Sequence, residues 1–401
     1  MLHLPISVKK CNVETPLDGD TDSQPYQRSG HCCATDGINL YVFGGYHPEY
    51  VITDERNLRR IAQHNIFRDL WCYNFATKTW HEVKTTGSSP SETASMSMIL
   101  SGSTLICFGG TLYPWGSKSN NKIYTLNLAE RKWKVLQCSG TIPAKYGQAM
   151  SLHDGALYVY GGCRRISEEE HLFDSELHHL DMKTHEWSLI LDKDDKENVT
   201  LTHLRGMYRH GLAYYRDKIY VIGSSWEELT SILYYHKVHV FDIAEGRWSW
   251  EAAIPTEDNR YPQRRVYHSC AQWNSEVYIC GGHDARYFVM DDIWCLHLPD
   301  LRWTQLTTSL PVPSFFHSAA ITDTKCMYLF GGVKNFAGRD HNVDRIRTKI
   351  IQKIWLAIPT LAELCWQNVL ELCPKMAKLS KEELFSLGIP RIFTDRLKPI
   401  R

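Results

Sequence analysis

The sequence lacks a long apolar run and has no surplus of charge of either sign. No window approaches the roughly 18 consecutive apolar residues that a membrane-spanning helix needs, and the N-terminal stretch MLHLPISVKKCNVETPLDGD has no apolar core of a secretory signal. Lysine and arginine together number 45, as do aspartate and glutamate. Bulk attraction to nucleic acid or to a membrane surface is therefore not expected. We expect a soluble protein of the cytoplasm and also of the nucleus.

The motifs of common metal sites and active sites are also missing. The 13 cysteines form no Cys-x-x-Cys pair, which argues against a structural zinc site of the usual spacing. Several of them, such as Cys107, Cys280 and Cys326, lie in apolar stretches, where cysteine behaves as a small hydrophobic residue. Neither a glycine-rich phosphate loop nor a nucleophile elbow occurs. The sequence therefore predicts a non-catalytic protein without a metal or a cofactor.

What the sequence contains instead is a repeat. Six apolar stretches end in a doublet of small residues, and successive doublets are 50–65 residues apart. These stretches are LYVFGG (40–45), LICFGG (105–110), LYVYGG (157–162), IYVIGS (219–224), VYICGG (277–282) and MYLFGG (327–332). Five of them are followed by a frame that ends in tryptophan, namely DLWCYNFATKTW (69–80), KIYTLNLAERKW (122–133), ELHHLDMKTHEW (176–187), KVHVFDIAEGRW (237–248) and DIWCLHLPDLRW (292–303). Alternating apolar residues between turn signals predict about four short strands per repeat, which we name a to d.

Repeated four-stranded units with a glycine pair and a spaced tryptophan are typical of the blades of a β-propeller. These units resemble kelch repeats. The resemblance implies a mainly β fold, a six-bladed kelch propeller over residues 25–358. We expect the glycines to allow close backbone approach near the central channel, and each tryptophan to fill the gap between neighbouring blades. Ser224 replaces the second glycine of the fourth doublet.

A histidine recurs near the start of strand a in four of the repeats, at His31, His210, His268 and His317. Recurrent histidines raise the question of a metal site. Because these four belong to different blades at the same depth in strand a, we expect them to form a ring of packing residues and not a set of ligands.

The sixth repeat departs from the pattern. Its frame begins as KIWLAIP but has Leu364 at the tryptophan position, and the chain continues as TLAELCWQNVLELC. Thr360 and Glu363 have the spacing of a capping box, which predicts a helix that ends before Pro374. Residues 359–401 therefore predict a short helical tail in place of the last strand d.

A second capping box, Ser380 with Glu383, predicts another short helix in this tail, closed by Gly388. The tail leaves the sixth blade without its strand d, so that blade has an unpaired edge. The N-terminal stretch HLPISVKK (3–10) alternates enough to supply the missing strand. We expect the segment 1–24 to close the ring in this way.

Two motifs in the tail resemble those of ubiquitin-ligase substrate receptors. Leu361 and Cys365, four residues apart on one helix face, resemble the BC box that binds Elongin C, although Thr360 replaces the commoner Ser, Ala or Pro at its head. IPRIF (389–393) resembles the cullin-2 box. The resemblance implies a complex with Elongin B, Elongin C, cullin-2 and its RING subunit. The implied contact residues are Thr360, Leu361, Leu364, Cys365 and Val369 for Elongin C, and Ile389, Pro390, Ile392 and Phe393 for cullin-2.

The direction of the strands places the b–c and d–a connections on one rim of the propeller. These connections are long and carry arginines with interleaved aromatic residues, and long loops on a rigid scaffold are where binding sites occur. The resemblance implies protein clients with short C-terminal degrons that end in glycine, and a terminal carboxylate favours a bidentate arginine. The candidate degron-binding residues are Arg209, Arg264 and Arg265 for the carboxylate, Ser225 and Trp226 for the pocket wall, and Lys145, Tyr146 and Arg164 elsewhere on the rim.

Two other classes of kelch protein are alternatives. A cytoskeletal or other scaffold would need no Elongin-binding motif, so the tail discriminates between a scaffold and a receptor. A kelch enzyme is disfavoured because the chain has no catalytic motif. We therefore expect the substrate-recognition subunit of a cullin-2–Elongin B/C ubiquitin ligase, which itself performs no chemistry.

Overall fold

The computed structural model describes residues 11–16, 23–54, 59–190, 206–223, 234–336 and 345–397. In these ranges the strands form six antiparallel four-stranded blades of a propeller, as the repeats predict, and the short strand Thr86–Gly87 adds a parallel fifth strand to the sheet of blade 2. Strand a of each blade contacts strand a of both neighbours, so the a strands line a central channel. In the order a, b, c, d, blade 1 consists of Cys32–Thr35, Asn39–Phe43, Leu70–Asn74 and Thr79–Glu82, and blade 2 of Ala94–Ser101, Thr104–Thr111, Ile123–Asn127 and Lys132–Leu136. Blade 3 consists of Ala149–His153, Ala156–Tyr160, Leu177–Asp181 and Glu186–Ile190, and blade 4 of Gly211–Tyr215, Lys218–Ile222, Lys237–Asp242 and Arg247–Ala252. Blade 5 consists of Ser269–Trp273, Glu276–Cys280, Asp292–His297 and Arg302–Ser309, and blade 6 of Ser318–Ile321, Cys326–Phe330, Ile351–Trp355 and Cys11–Glu14.

The remaining elements lie on the two rims. We call the rim formed by the b–c and d–a connections the upper rim, and the opposite one the lower rim. The upper rim carries three hairpins, Tyr46–Asp54 with Arg59–Ile66, Cys163–Arg165 with His171–Phe173, and Val333–Phe336 with Arg345–Arg347, besides the 3₁₀ turn Tyr234–His236. The tail contains helices α1 (Leu361–Leu372), α2 (Lys381–Ser386) and α3 (Arg391–Thr394) and the 3₁₀ turns Pro374–Lys378 and Asp395–Leu397. The upper rim is therefore the irregular one.

An N-terminal strand closes the ring. Cys11–Glu14 pairs antiparallel with Ile351–Trp355 and supplies strand d of blade 6. Glu14 is buried, and its carboxylate lies 3.2 Å from Nζ of Lys78 in blade 1 and 3.8 Å from Nζ of Lys353 in blade 6. The segment 3–10, which the sequence analysis proposed for this strand, lies outside the described residues. The pairing covers the edge of blade 6 and ties it to blade 1.

The hydrophobic core is divided into layers between the blades. Each of the six seams between neighbouring blades has its own cluster of buried residues. The recurring tryptophan is the second residue of strand d and packs against the preceding blade, which confirms the role expected for it. Trp133, for example, is only 2% exposed, and its ring lies 5.0 Å from that of Phe43 in blade 1.

We expect Trp133→Ala to lower the free energy of unfolding by about 3–5 kcal/mol, because it removes a large side chain from a packed seam and leaves a cavity. Urea unfolding followed by intrinsic fluorescence measures the change. Trp250→Ala is the control, since Trp250 lies on strand d of blade 4 but is 52% exposed, and its loss should cost far less. Equal costs for the two variants would contradict the layered core.

The recurring histidines pack against the glycine doublets. A Cβ atom placed on Gly161 would lie 2.6 Å from Cε1 of His210, and one on Gly281 would lie 2.7 Å from Cε1 of His317. The first glycine of a doublet is therefore required because a histidine of the next blade occupies the space above it. In the part of the chain that the structure describes, no group of three or more His, Cys, Asp or Glu side chains is arranged to hold a metal ion.

The helical tail has a small core of its own, which attaches it to the lower rim. Trp366 of α1 is buried in a cluster that includes Ala76, in the c–d turn of blade 1. Nδ2 of Asn74 donates a hydrogen bond to the carbonyl of Arg396 at 3.1 Å. The guanidinium of Arg396 in turn forms two hydrogen bonds with the carboxylate of Glu363, at 2.7 and 2.8 Å. The tail is thus fixed below blade 1.

Only one of the two expected capping boxes is complete. Thr360 caps α1 by accepting a hydrogen bond from the backbone N–H of Glu363, but the Glu363 carboxylate binds Arg396 instead of returning to the cap. At α2, Ser380 and Glu383 form both bonds of the box. No helix within the described ranges is long and apolar enough to cross a membrane.

Candidate functional site

Six residues with left-handed backbone surround the upper mouth of the channel, one from each blade. They precede or begin strand a, and their φ angles lie between 55° and 68°. In five of the blade-to-blade steps, the N–H of one member donates to the carbonyl of the member in the preceding blade, over 2.7–3.3 Å. We call this ring the crown, and its members are Gly30, Ser95, Gly147, Arg209, Tyr267 and Phe316. The crown fixes the position of every side chain that projects from it.

Arg209 is the cationic member of the crown. Its guanidinium carbon lies 4.1 Å from the centre of the Phe316 ring, and one terminal nitrogen, Nη2, donates to Oγ of Ser95. The Nε atom of Arg209 is buried and has no hydrogen-bond partner among the described residues. A buried donor without a partner is costly, and the guanidinium offers a two-pronged edge to an anion. Of the described residues predicted to bind the degron, Arg209 is the one placed at the mouth.

Aromatic side chains surround this guanidinium. The Tyr267 ring lies 4.9 Å from that of Phe316, and the Tyr46 ring lies 4.6 Å from that of Trp115. Tyr208 lies beside Arg209, where burial raises the pKa of its hydroxyl although the arginine charge opposes the shift. The mouth therefore combines the guanidinium of Arg209 with flat aromatic walls, and a second guanidinium, that of Arg347, lies 4.7 Å from the Tyr46 ring. Such a site suits a carboxylate at the end of a short apolar segment.

Lys145 and Arg265, which the sequence predicts to bind a ligand, are placed in the interior and not at this mouth. Both are fully buried. Lys145 forms an ion pair with Asp174, whereas Arg265 forms two hydrogen bonds with the Asp292 carboxylate, at 2.5 and 2.8 Å. Each cation connects the d–a connection to the start of strand c in its own blade. Arg28 and Asp69 form the same pair in blade 1.

The pKa values of these buried groups reflect their pairing. Burial alone would raise the pKa of Asp292, but the hydrogen bonds and charge of Arg265 outweigh it and keep the pKa below its usual value. Asp69 behaves in the same way beside Arg28. Burial lowers the pKa of Lys145, and the Asp174 charge opposes this shift. Each of these pairs links two segments within one blade, and the paired cations are not available to a ligand.

The other predicted rim residues are dispersed. Tyr146 is buried and its ring packs on Tyr208 at 5.7 Å. The Nε atom of Arg164 lies 3.5 Å from the Asp174 carboxylate, which places this arginine in blade 3 beside the buried pair. Arg264 is half-buried next to Arg265. Ser225 and Trp226 lie outside the described residues.

The tail presents a separate apolar surface. Leu361 is 69% exposed, Cys365 is exposed, and Leu372 is 82% exposed on the same face of α1. Leu364 and Val369 are half-buried, and Val369 packs against the tail core. The apolar face of α1 is therefore not buried under the propeller, because Trp366 on the other side of the helix anchors the tail. Thr360, at the head of the face, is exposed.

The predicted cullin-2 residues divide into two pairs. Pro390 is exposed and Ile392 is 70% exposed. Ile389 and Phe393 are half-buried in the tail core, where the Phe393 ring stacks on that of Trp366 at 5.0 Å. The inward pair holds α3 against α1, and the outward pair extends the exposed apolar surface.

Comparison with known proteins agrees with this architecture. A family model described as "KLHDC2/KLHL20/DRC7 Kelch-repeats domain" matches residues 15–224 and 147–365. The chain belongs to this kelch-repeat family. Kelch domain-containing protein 10 of Homo sapiens and of Bos taurus is 38% identical over 377 residues, which cover 93% of this kelch chain and 80% of those proteins. Kelch domain-containing protein 2 of Bos taurus is 26% identical over 322 residues, or 77% of the chain and 64% of that protein.

Most of the crown of this kelch protein was not predicted from the sequence. The histidines of strand a are evident in the repeats, but the residue directly before the histidine is the one that reaches the mouth, as in Arg209–His210, Tyr267–His268 and Phe316–His317. That position is glycine in blades 1 and 3 and a larger residue in the other four. A departure from glycine at a repeated position was therefore the available signal.

Proposed function

We propose that this kelch protein is the substrate receptor of a cullin-2–Elongin B/C ubiquitin ligase, which binds client C-termini at the crown and recruits the ligase through its tail. The observation that carries the proposal is the exposure of Leu361 and Cys365 on one face of a helix whose opposite face is anchored. Large apolar side chains grouped on a surface are typical of a protein interface. The partner enzymes would transfer ubiquitin, and this chain would contribute proximity.

The exposed face of α1 supports Elongin C as the partner. Leu361 stands free at the start of the helix, where it can enter a pocket, and Cys365 follows one turn later with a side chain small enough for close approach. The ion pair between Glu363 and Arg396 holds the helix in place. Since the helix is already folded and fixed, binding would not require the entropy cost of ordering it.

The exposed pair Pro390 and Ile392 supports cullin-2 as a neighbouring partner. Leu387 and Phe385 of the same region are 61% and 44% exposed. The apolar surface therefore continues from α1 to α3 along the side of the tail that faces away from blade 1. Two partner proteins that are held side by side would cover it.

The crown supports a free carboxylate as the ligand. Arg209 has a buried donor without a partner among the described residues, and a guanidinium and two rings approach Gly30 so closely that a Cβ there would lie 3.3 Å from Nη2 of Arg209, from Phe316 and from Tyr46. So narrow a space favours a terminal residue without a side chain. A client C-terminus that ends in glycine has both the free carboxylate for Arg209 and a terminal residue without a side chain. We propose that such clients are met in the cytoplasm and the nucleus.

Co-purification with Elongin B, Elongin C and cullin-2 tests the tail. We expect the wild type to capture the complex and Leu361→Ser/Cys365→Phe to lose it by more than tenfold, because the variant removes the apolar anchor and places a bulky ring beside it. Ala362→Ser, on an exposed neighbouring position of the same helix, should capture as well as the wild type. Thermal melting checks that each variant is folded.

A second variant separates the two partners. Pro390→Ala/Ile392→Ser should retain Elongin B/C and lose cullin-2, since both side chains point away from the tail core. If the wild type captures neither partner, or if the folded Leu361/Cys365 variant captures both, the receptor proposal is wrong and a scaffold role replaces it.

A further inference from the structure

The crown contains backbone strain that the fold does not require. Left-handed backbone is natural for glycine, and Gly30 and Gly147 occupy the position in blades 1 and 3. The other four blades place Ser95, Arg209 and two aromatic residues there, with φ angles of 55–62°. Residues other than glycine adopt this conformation at an energetic cost, and such strain is concentrated at functional sites. A glycine at all six positions would build the same ring of backbone hydrogen bonds.

The strained side chains act on one another. Ser95 projects its hydroxyl toward Arg209 and accepts a hydrogen bond from Nη2, while Phe316 lies beneath the guanidinium carbon at 4.1 Å. Tyr267 supports Phe316 from the neighbouring blade, with ring centres 4.9 Å apart. Ser95 is only 4% exposed, so this contact lies inside the mouth. The strained residues therefore share one target, which is the guanidinium of Arg209.

We infer that Ser95 is a positioning residue, held in left-handed strain so that it fixes the guanidinium of Arg209 in one orientation for an incoming carboxylate. This inference rests on the proposed function and specifies how its client site discriminates. An arginine that is already ordered loses little side-chain freedom on binding, whereas a free one must be immobilised first. Ser95 thereby favours a free α-carboxylate over a neutral C-terminus without contacting the client itself.

Ser95→Gly tests the inference, because its effects on stability and on binding should have opposite signs. Glycine relieves the strain and keeps both backbone hydrogen bonds of the position, and we expect this to offset the hydrogen bond that Arg209 loses, so the melting temperature should stay unchanged or rise by about 1–2 °C. The affinity for a peptide with a free carboxylate should fall about threefold to tenfold, since Arg209 loses its fixed orientation. If Ser95 had only a structural role, Ser95→Gly would weaken peptide binding only as far as it destabilised the fold.

The probes are glycine-ended decapeptides of mixed upstream sequence, with a free C-terminal carboxylate or with a C-terminal amide, measured by fluorescence anisotropy. Ser95→Gly should reduce the ratio between the two affinities and leave amide binding unchanged. Asn274→Gly is the matched control, because Asn274 is an exposed left-handed residue in the lower-rim turn of blade 5. It should relieve strain equally and leave the ratio unaltered.

The outcomes separate this inference from the proposal beneath it. If the wild type does not prefer the free carboxylate, the client site itself is misassigned and both ideas fail. If the wild type shows the preference and Ser95→Gly retains it in full, the client site stands and the positioning role of Ser95 is refuted. A reduced ratio with an unchanged or raised melting temperature supports the inference.

Discussion

Replacing Arg209 with glutamine should weaken the binding of a free-carboxylate peptide by about 2–5 kcal/mol, since a charged, hydrogen-bonded partner is lost in a partly buried site. In affinity this is roughly 30-fold to several thousand-fold. The effect should be large because Arg209 is the crown's cation, while the buried cations Lys145 and Arg265 are bound to aspartates. Anisotropy with the glycine-ended peptides measures it.

Two further variants show whether charge alone explains the loss. Arg209→Lys keeps the charge but lacks the planar fork, so we expect only a partial recovery of affinity. Arg286→Gln removes an exposed arginine from the same rim, and such a change should cost less than about 1 kcal/mol. Comparable losses for Arg286→Gln and Arg209→Gln would indicate a diffuse electrostatic attraction and not a defined carboxylate site.

Mild acid should unfold this propeller. Burial lowers the pKa of His31, His210, His268 and His239 from an ordinary value of 6.5 to about 3. It lowers the pKa of His178 and His317 to about 4. The cations Arg28 and Arg265 add to the effect at His31 and His268. These histidines remain neutral in the folded protein, whereas the unfolded chain takes up protons as the pH falls through 6.5.

The stability that these histidines contribute is complete above pH 6.5 and is lost as the pH falls toward the folded pKa values. Each histidine costs up to about 1.4 kcal/mol per pH unit in that window. Six together approach ~8 kcal/mol per unit, which is comparable to the whole stability of an ordinary domain. We expect the melting temperature to decline steeply between pH 6 and pH 5.

Thermal melts from pH 7.5 to pH 4.5 measure this dependence, and His31→Gln is the control. Glutamine already occupies the equivalent position in blade 3, as Gln148, where it is buried against Gly109. The variant should keep the fold and remove about one proton from the pH dependence of stability. A melting temperature that stays constant down to pH 5 would contradict the buried, neutral state of the histidine ring.

The sequence was informative where a feature repeats. Glycine doublets, tryptophans and histidines recur along the repeats because every seam between blades is packed in the same way. The structural role inferred for one of these residues therefore applied to its equivalents in the other blades. The crown repeats as well, but it repeats as a backbone conformation. Ser95, Arg209 and Phe316 have similar φ angles but no common side-chain chemistry, and residue patterns do not reveal a shared backbone conformation directly.

The arginines and lysines were harder to assign because their environment depends on distant partners. Arg265 meets an aspartate 27 residues away, and Lys145 meets one 29 residues away. Asp292 begins strand c of its blade and Asp174 lies three residues before strand c of its own, and the loop lengths of the individual blades change the sequence distance to that position. A cation on a loop therefore looks exposed until its partner is known, and among the described residues predicted to bind the degron Arg209 is the cation placed at the mouth.

The tail was predictable in its helices but not in its orientation. Capping residues predicted the starts of α1 and α2, and the apolar residues of α1 predicted a helix face that packs against another surface. Which of the two sides of α1 would meet the propeller depended on Trp366 and on the hydrogen bond between Asn74 and Arg396. Because that contact is long-range, the sequence alone did not determine it.

The placement of the crown and the tail on opposite rims makes the propeller a rigid spacer. Its strands of about five residues span roughly 16 Å, and the tail is fixed beneath blade 1 by Asn74 and Ala76. Under the proposed function, a client's last residue is held at one end of this spacer and the ligase at the other. Lysines directly before the client's C-terminus would be held in the mouth, out of reach. Clients would thus be selected twice, first by their final residue and then by the distance from it to an accessible lysine.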